Sequence, residues 1–310
     1  MDFELSQEQA ELLGRLRAVL PTDASLPSTS KRSLDVELFG KLRAGGFLDV
    51  LRDGGRSSVL DAALVVEEVT RAIGIVPIGT HCLVLPLFFE RDMDGVAAIR
   101  DVDAPGPFRF GGEATIIIRY EGNEAKAFRV SPEAAVHVKS NYVYPLAIPA
   151  NAEGDSIASA PASAVRRRHR IGISAECVGA MDGLLNQLVA YLSTREQFGR
   201  KLGSFQALHH RIAELSVLLE GSRWLSREAA WLDDDETAAL AAAYSTKAAR
   251  RMCWEAHELS GARGFSVDFG MYQHSLRLQA LSVEAGSIQA HADDAAQLAW
   301  LAASICERVR

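Results

Sequence analysis

The sequence predicts a mainly α-helical chain with a small strand-bearing region in the middle and an antiparallel four-helix bundle at the end. Three observations predict it. Apolar residues recur at helical spacing up to about Ala98 and again from Arg166 onward. Between these stretches Pro105-Gly106-Pro107 breaks any helix, and short β-type runs follow. The last part holds four long periodic stretches joined by short links, as in a bundle. The chain therefore divides into an N-terminal helical domain at 1–100, a reduced β region with a linker at 101–163, and the bundle at 164–310.

The first helix is read from Leu5, Ala10, Leu12, Leu13, Leu16 and Leu20, with Ser6 and Gln9 as its start signal. A second runs from Val36 to Ala44 and stops at Gly45-Gly46. A third spans Leu60 to Ala72, with Leu64, Val65 and Val69 on one side, and Thr80 to Phe89 is apolar enough for a buried helix. The β-type runs are Thr115–Ile118, Ala127–Val130, Ala135–Val138 and Tyr142–Tyr144, enough for a modest sheet. Asn151 to Ser163, rich in Ala, Ser, Gly and Pro, reads as a linker or loop. In the bundle, Val178, Met181, Leu185, Leu188 and Leu192 form one stripe. Further helices are expected over Phe205–Trp231, Thr237–Leu259 and Ser287–Arg308. The acidic run Asp233-Asp234-Asp235-Glu236 is placed to cap the helix that starts at Thr237, at the positive end of its dipole.

A net charge of −7 over 310 residues argues against a nucleic-acid binder, whose footprint is basic. The exception, Arg166-Arg167-Arg168-His169-Arg170, is short and opens a helix, so it reads as a solvated face or a contact to a partner or phosphate. Four cysteines (Cys82, Cys177, Cys253, Cys306) stand far apart without a Cys-x-x-Cys, which suits buried thiols, not a disulfide framework. No Glu-x-x-His pair occurs, so no di-metal site is expected. The amphipathic, acidic start is unlike a signal peptide and no apolar run reaches membrane-span length, so a cytoplasmic protein is expected.

The segment from Thr194 to Ala207, TREQFGRKLGSFQA, is a cationic, glycine-punctuated bend between two long helices. Arg195 offers a planar fork of donors that suits a diphosphate. Gly199 and Gly203 let backbone turn or approach a ligand, and the Gln206 amide both donates and accepts.

With REQFGRKLGSFQALHHRIAEL, the order of helices, small β region and bundle resembles the acyl-CoA dehydrogenase family over nearly the whole chain. MDFELSQEQ, LFGKLRAGGFLDVL, ALVVEEVTRAIG and the LSGARGF turn resemble further family elements. The resemblance implies oxidation of an acyl-CoA thioester to a trans-2-enoyl-CoA, with a carboxylate taking the α-proton and FAD taking the β-hydrogen as hydride. It implies that Arg195, Gln197, Phe198 and Gln206 touch the flavin of a neighbouring subunit, Arg195 and Gln206 at its diphosphate and Phe198 near its adenine or ribitol portion. Glu258 and Gly261 stand at the family's Gln and Gly-rich turn on the diphosphate side. Glu258 replaces that Gln, so Arg263 or another cation must offset its charge. Gly261 serves equally as a helix C-cap.

Two candidate bases follow. Glu284, in Val283-Glu284-Ala285-Gly286-Ser287, stands near the family's Tyr-Glu-Gly-Thr turn with a one-residue offset, or is a helix-flanking carboxylate. Glu176 lies on the first bundle helix, where some branches carry the base, or forms a salt bridge between helices. Ala180 and Gly183 beside it leave room for a ligand or allow close packing. The family's Thr-Glu-Pro-like motif and Trp-Ile-Thr/Ser strand of the middle barrel are absent from the sequence. That departure resembles the short subunits of heteromeric α2β2 acyl-CoA dehydrogenases, some acting on steroid-derived or other bulky acyl groups. It implies a longer partner that completes the flavin site. The alternatives are a non-catalytic structural or regulatory subunit and a self-sufficient homo-oligomer.

Overall fold

The computed structural model describes residues 4–21, 33–52, 58–100, 106–139, 143–148 and 155–308, with only the backbone of 134 and 302–308. Helix α1 (Gln7–Arg17) opens on the expected capping box: Ser6 accepts from the Gln9 N–H, and the Gln9 side chain accepts from the Ser6 N–H. Helix α2 (Val36–Ala44) starts at Asp35 and stops at Gly45. Helix α3 (Val59–Arg71) opens on a second box, Ser58 with Asp61. Leu13, Leu16, Leu38, Leu42, Leu64, Val65 and Val69 share one buried core. Thr80–Leu87 is buried, but it is a π turn followed by a 3-10 turn and not the expected α-helix. Pro86 lacks the N–H that a continuing α-ladder needs.

The middle region is a pair of small sheets. Strands β1 (Ala97–Arg100), β3 (Ile116–Glu121), β4 (Glu124–Arg129) and β7 (Ala158–Pro161) lie in the order β1-β3-β4-β7, with β1 parallel to β3 and the other pairs antiparallel. Strands β2 (Phe108–Arg109), β5 (Val136–Val138) and β6 (Leu146–Ile148) make the second, antiparallel sheet in the order β2-β6-β5. Two expectations are corrected here. Val143 and Tyr144 are buried in a bend, and the strand comes after Pro145, at Leu146; Tyr142 lies outside the described residues. The stretch expected as a linker holds β7, whose small Ala158 and Ala160 pair with Ala127 and Ala125; residues 151–154 and Pro105 lie outside the described residues.

The bundle contains α4 (Ala162–Thr194), α5 (Gln206–Leu232), α6 (Asp235–Ser260) and α8 (Ser287–Arg308). Asp234 caps α6 as expected, accepting from the Thr237 N–H at 2.9 Å. The basic run at the start of α4 is absorbed within the chain: Arg167 faces Asp235 at 3.2 Å, Arg168 faces Asp233 at 2.8 Å, and Arg170 pairs with Asp294. An extra helix, α7 (Met271–Leu281), was not expected, because its buried face carries Gln273, His274, Ser275 and Arg277. Polar residues at core positions erase the apolar period that sequence reading relies on. Cys82, Cys177 and Cys253 are buried free thiols, while the Cys306 side chain lies outside the described set.

Helices α3 and α4 cross at Gly179, where an added Cβ would overlap the Glu67 carbonyl oxygen and crowd the Arg71 amide. Gly183 meets the Arg71 carbonyl oxygen and His274 in the same way, so Gly183 serves close packing and not ligand room. Backbone cannot swing aside as a side-chain tip can. Gly179→Ala is therefore expected to cost about 2 kcal/mol, read as a lower urea midpoint at unchanged m-value.

Candidate active site and cofactor surface

After α7 the chain makes a tight turn, Glu284–Gly286, before α8 begins. Ala285, Gly286 and Ser287 all have positive φ (52°, 94° and 80°). Two of them are L-residues outside their preferred region, a local cost of roughly 1–3 kcal/mol each that the surrounding packing must offset. This turn aims Glu284 inward, at Arg109 of β2. The Arg109 Nε lies 2.6 Å from Glu284 Oε2, and Nη2 donates to Glu284 Oε1 at 2.9 Å. Nη1 of the same guanidinium donates to Glu176 Oε2 at 2.7 Å. The structure thus brings both candidate bases onto one arginine.

His169 stands seven residues before Glu176, two turns along the same face of α4, and its Nε2 lies 3.0 Å from Glu284 Oε1. Tyr144 lies under the Arg109 guanidinium, 4.6 Å from ring centroid to Cζ, and its hydroxyl donates to Glu176 at 3.4 Å. Side-chain exposure is 12% for Arg109, 4% for Glu176 and 20% for Glu284. Burial pushes the Glu284 carboxyl up, but Arg109 and His169 outweigh it and hold the pKa at about 2. Burial also pushes the Tyr144 phenol up. The resting arrangement is therefore the reverse of a carboxylate raised towards neutrality by an apolar pocket.

Next to this turn lies an open groove of about 1090 Å³, formed by the end of α6, the Gly261–Phe265 turn, α7 and the start of α8. Trp254, His257, Phe265 and Tyr272 supply aromatic walls, and Val283 and Ser287, the residues flanking the Glu284 turn, line its floor. Glu258 and Gln289 also line it. Glu258 is offset by Arg211 of α5 at 2.7 Å, so the compensating cation is Arg211; Arg263 stands over the Phe269 ring. Gly261 ends α6 at φ 60°, ψ −148°.

Arg195, Gln197, Phe198 and Gln206 lie elsewhere on the bundle surface. The expected bend is a two-stranded hairpin, β8 (Glu196–Gln197) with β9 (Arg200–Lys201), turning on Phe198 and Gly199 at φ 55° and 76°. Two successive positive φ values match the right-handed twist of a tight hairpin. Phe198 at the apex is 86% exposed, and Arg195, Gln197 and Gln206 are exposed as well. Arg195 forms no ion pair among the described residues. Gln206 precedes Arg211 by five residues on α5, about 7.5 Å, which links the hairpin to the Glu258 edge of the groove. His209 and His210 are exposed on α5. No group of three His, Cys, Asp or Glu among the described residues is disposed to hold a metal ion. None of the described helices is long and apolar enough to cross a membrane.

Sequence reasoning missed Arg109, His169 as a partner of Glu284, and the roles of Tyr144 and Arg211. The His169–Glu176 spacing of seven was a usable signal. An arginine between Phe108 and Phe110 carries none.

Residues 165–299 match the family model for the acyl-CoA dehydrogenase C-terminal domain. The acyl-CoA dehydrogenase IpdE2 of Mycolicibacterium smegmatis is 26% identical over 236 residues, covering 73% of this chain and 72% of that protein. The probable acyl-CoA dehydrogenase YngJ of Bacillus subtilis is 32% identical over 107 residues, and the match spans only 28% of the relative's length. Among solved structures, a chain of the ChsE4–ChsE5 complex from Mycobacterium tuberculosis superposes with a TM-score of 0.77 at 17% identity, covering 96% of this chain and 98% of that one. A chain of the steroid acyl-CoA dehydrogenase Tcur3481–Tcur3483 gives 0.77 at 20% identity, covering 96% and 99%. The fold, helices around a small middle sheet region with a C-terminal bundle, is that of an acyl-CoA dehydrogenase. The family match covers the bundle, somewhat under half of the chain, and that part is similar to the C-terminal domain of acyl-CoA dehydrogenases.

Proposed function

We propose that this chain is a subunit of an FAD-dependent acyl-CoA dehydrogenase that dehydrogenates an acyl-CoA thioester at Cα–Cβ and completes its flavin site with a longer partner subunit. The observation that carries this reading is the outward-facing hairpin. Arg195 and Gln206 offer a diphosphate-binding donor set whose side chains no described residue engages, and the exposed Phe198 ring stands at the tip. A second chain closing over this exposed surface would exclude water from it and strengthen the contact to a diphosphate. The donor set fits the flavin's diphosphate: Arg195 and Gln206 would hold it, with Gln197 and Phe198 against the adjoining portion. The aromatic groove lined by Glu258 and Gln289 provides a second flat-sided surface on the same bundle.

Bound flavin supplies the acceptor for the β-hydrogen and its electron pair. Within the chain, Glu284 and Glu176 are the carboxylates available to take the α-proton. A bulky acyl group, steroid-derived in the extreme, suits the open groove, and the relatives whose names state a steroid substrate or a two-subunit complex support that assignment. A cytoplasmic location is part of this reading. One observation favours the second reading, a non-catalytic subunit that keeps the fold for assembly: both carboxylates are tied to Arg109.

The test is flavin content. Co-expressed with a longer dehydrogenase chain, the wild type is expected to purify yellow. Arg195→Ala is expected to weaken flavin retention by about tenfold or more through the lost charge-assisted contact. Unchanged flavin absorbance in the variant would remove Arg195 from the site.

A further inference from the structure

A proton-abstracting carboxylate needs a free lone pair facing its substrate. Here both candidates engage one guanidinium, Glu284 through both oxygens and Glu176 through Oε2. Arg109 presents Nε and Nη2 to Glu284 and Nη1 to Glu176, and its flat face lies on Tyr144. The arginine thus stands between the two carboxylates, under the turn whose flanking residues Val283 and Ser287 line the groove. Its strand is only two residues long and pairs on one side, with β6.

We propose that Arg109 is a positioning residue that masks the Glu176–Glu284 pair, and that its withdrawal both opens the cleft to the acyl chain and frees Glu284 as the proton acceptor. This inference rests on the dehydrogenase reading. In the step it permits, the Cα–H bond breaks and the proton passes to a Glu284 oxygen. The electron pair left at Cα forms the Cα=Cβ bond while the β-hydrogen departs with its own pair to oxidised flavin.

The electrostatics give the mask a measurable signature. With Arg109 in place Glu284 stays ionised, and Glu176 shares the same guanidinium. Without it, two buried carboxylates that had shared one guanidinium face each other, and burial and like charge together force a proton onto one of them. The other groups around them are His169 and Cys177 on α4, Tyr144 before β6, Arg277 on α7 and His291 on α8. Arg277 is committed to backbone carbonyls, and burial lowers the His291 pKa to about 4, so neither takes over the role of Arg109 at neutral pH.

The first readout is infrared and needs no activity. The chain alone is expected to show no protonated-carboxyl band from this pair at pH 7. Arg109→Met, or Arg109→Gln should Met fail to fold, is expected to show one, and the charge-free Arg109→Met/Glu176→Gln/Glu284→Gln chain is expected to lose it. The second readout uses the flavin-loaded assembly and the acyl-CoA it oxidises fastest from a series running from butanoyl-CoA to steroid-side-chain CoA thioesters. Arg109→Met is expected to raise the acid limb of the kcat/KM profile by about two pH units while kcat on the alkaline plateau holds within about threefold. Glu284→Gln is expected to lose about 100-fold or more in kcat at unchanged flavin content. No band in either Arg109 variant, an unmoved acid limb, or full turnover by Glu284→Gln would each overturn the proposal. An assembly that oxidises none of the thioesters would defeat the dehydrogenase reading, and the band would then decide the mask by itself.

Discussion

Arg277→Ala is expected to cost about 4 kcal/mol of folding stability, in the range for breaking a buried charged network. Arg277 is 1% exposed on α7, yet its guanidinium forms no ion pair among the described residues. It instead donates to carbonyl oxygens at and just past the end of α3: Thr70 at 2.8 Å, Ala72 at 3.2 Å and Gly74 at 2.6 Å. A helix end leaves carbonyls without intrahelical partners and carries partial negative charge, so a cation there satisfies both needs. Truncation would leave three buried acceptors unpaired and a cavity between the N-terminal helices and the bundle. Arg277→Lys keeps the charge but not the planar fork, and should fall between wild type and Ala. Equilibrium urea unfolding measures all three. A loss under about 1 kcal/mol for Ala would mean that water satisfies those carbonyls.

Arg277 also shows why part of the architecture was not legible. The apolar stripes, the capping box at Ser6, the glycine stop at Gly45 and the acidic cap at Asp234 were readable because each is a local rule. Helix α7 was not, because its polar residues are buried by partners distant in sequence; Arg277 reaches residues more than 200 positions away. Pro86 made Thr80–Leu87 irregular while leaving its composition apolar, so burial was legible there and helix type was not.

The candidate site divides along the same line. The hairpin's cationic and glycine content could be read from TREQFGRKLG. Glu176 and Glu284, 108 positions apart in the numbering, could each be named but not joined. The residue that joins them, Arg109, comes from the short middle sheet and has no local motif. Glu258 posed a charge problem that sequence left open between Arg263 and another cation, and the α5–α6 packing resolves it with Arg211. Local chemistry therefore nominates residues, and long-range pairing decides what state they are held in.

That held state has a thermodynamic consequence at acid pH. The Glu284 pKa is about 2 in the folded chain, against about 4.3 for an unperturbed Glu. A depressed carboxylate pKa stabilises the fold above the unfolded value and loses that contribution as pH falls through the folded one. The gap corresponds to roughly 3 kcal/mol, trimmed by screening because the side chain is 20% exposed. Wild type is therefore expected to lose stability steeply between about pH 4.5 and pH 2. Glu284→Gln cannot titrate and leaves Arg109 with Glu176, so it should start less stable at neutral pH and fall less steeply over that window. Glu68 and Asp92 also have lowered pKa values, from Arg17 with Arg71 and from His81 with Arg43, acting against burial. They add acid sensitivity to both chains alike. The difference between the two curves of unfolding free energy against pH isolates Glu284. Curves that stay parallel from pH 6 to pH 2.5 would mean that Arg109 does not hold this carboxylate in solution.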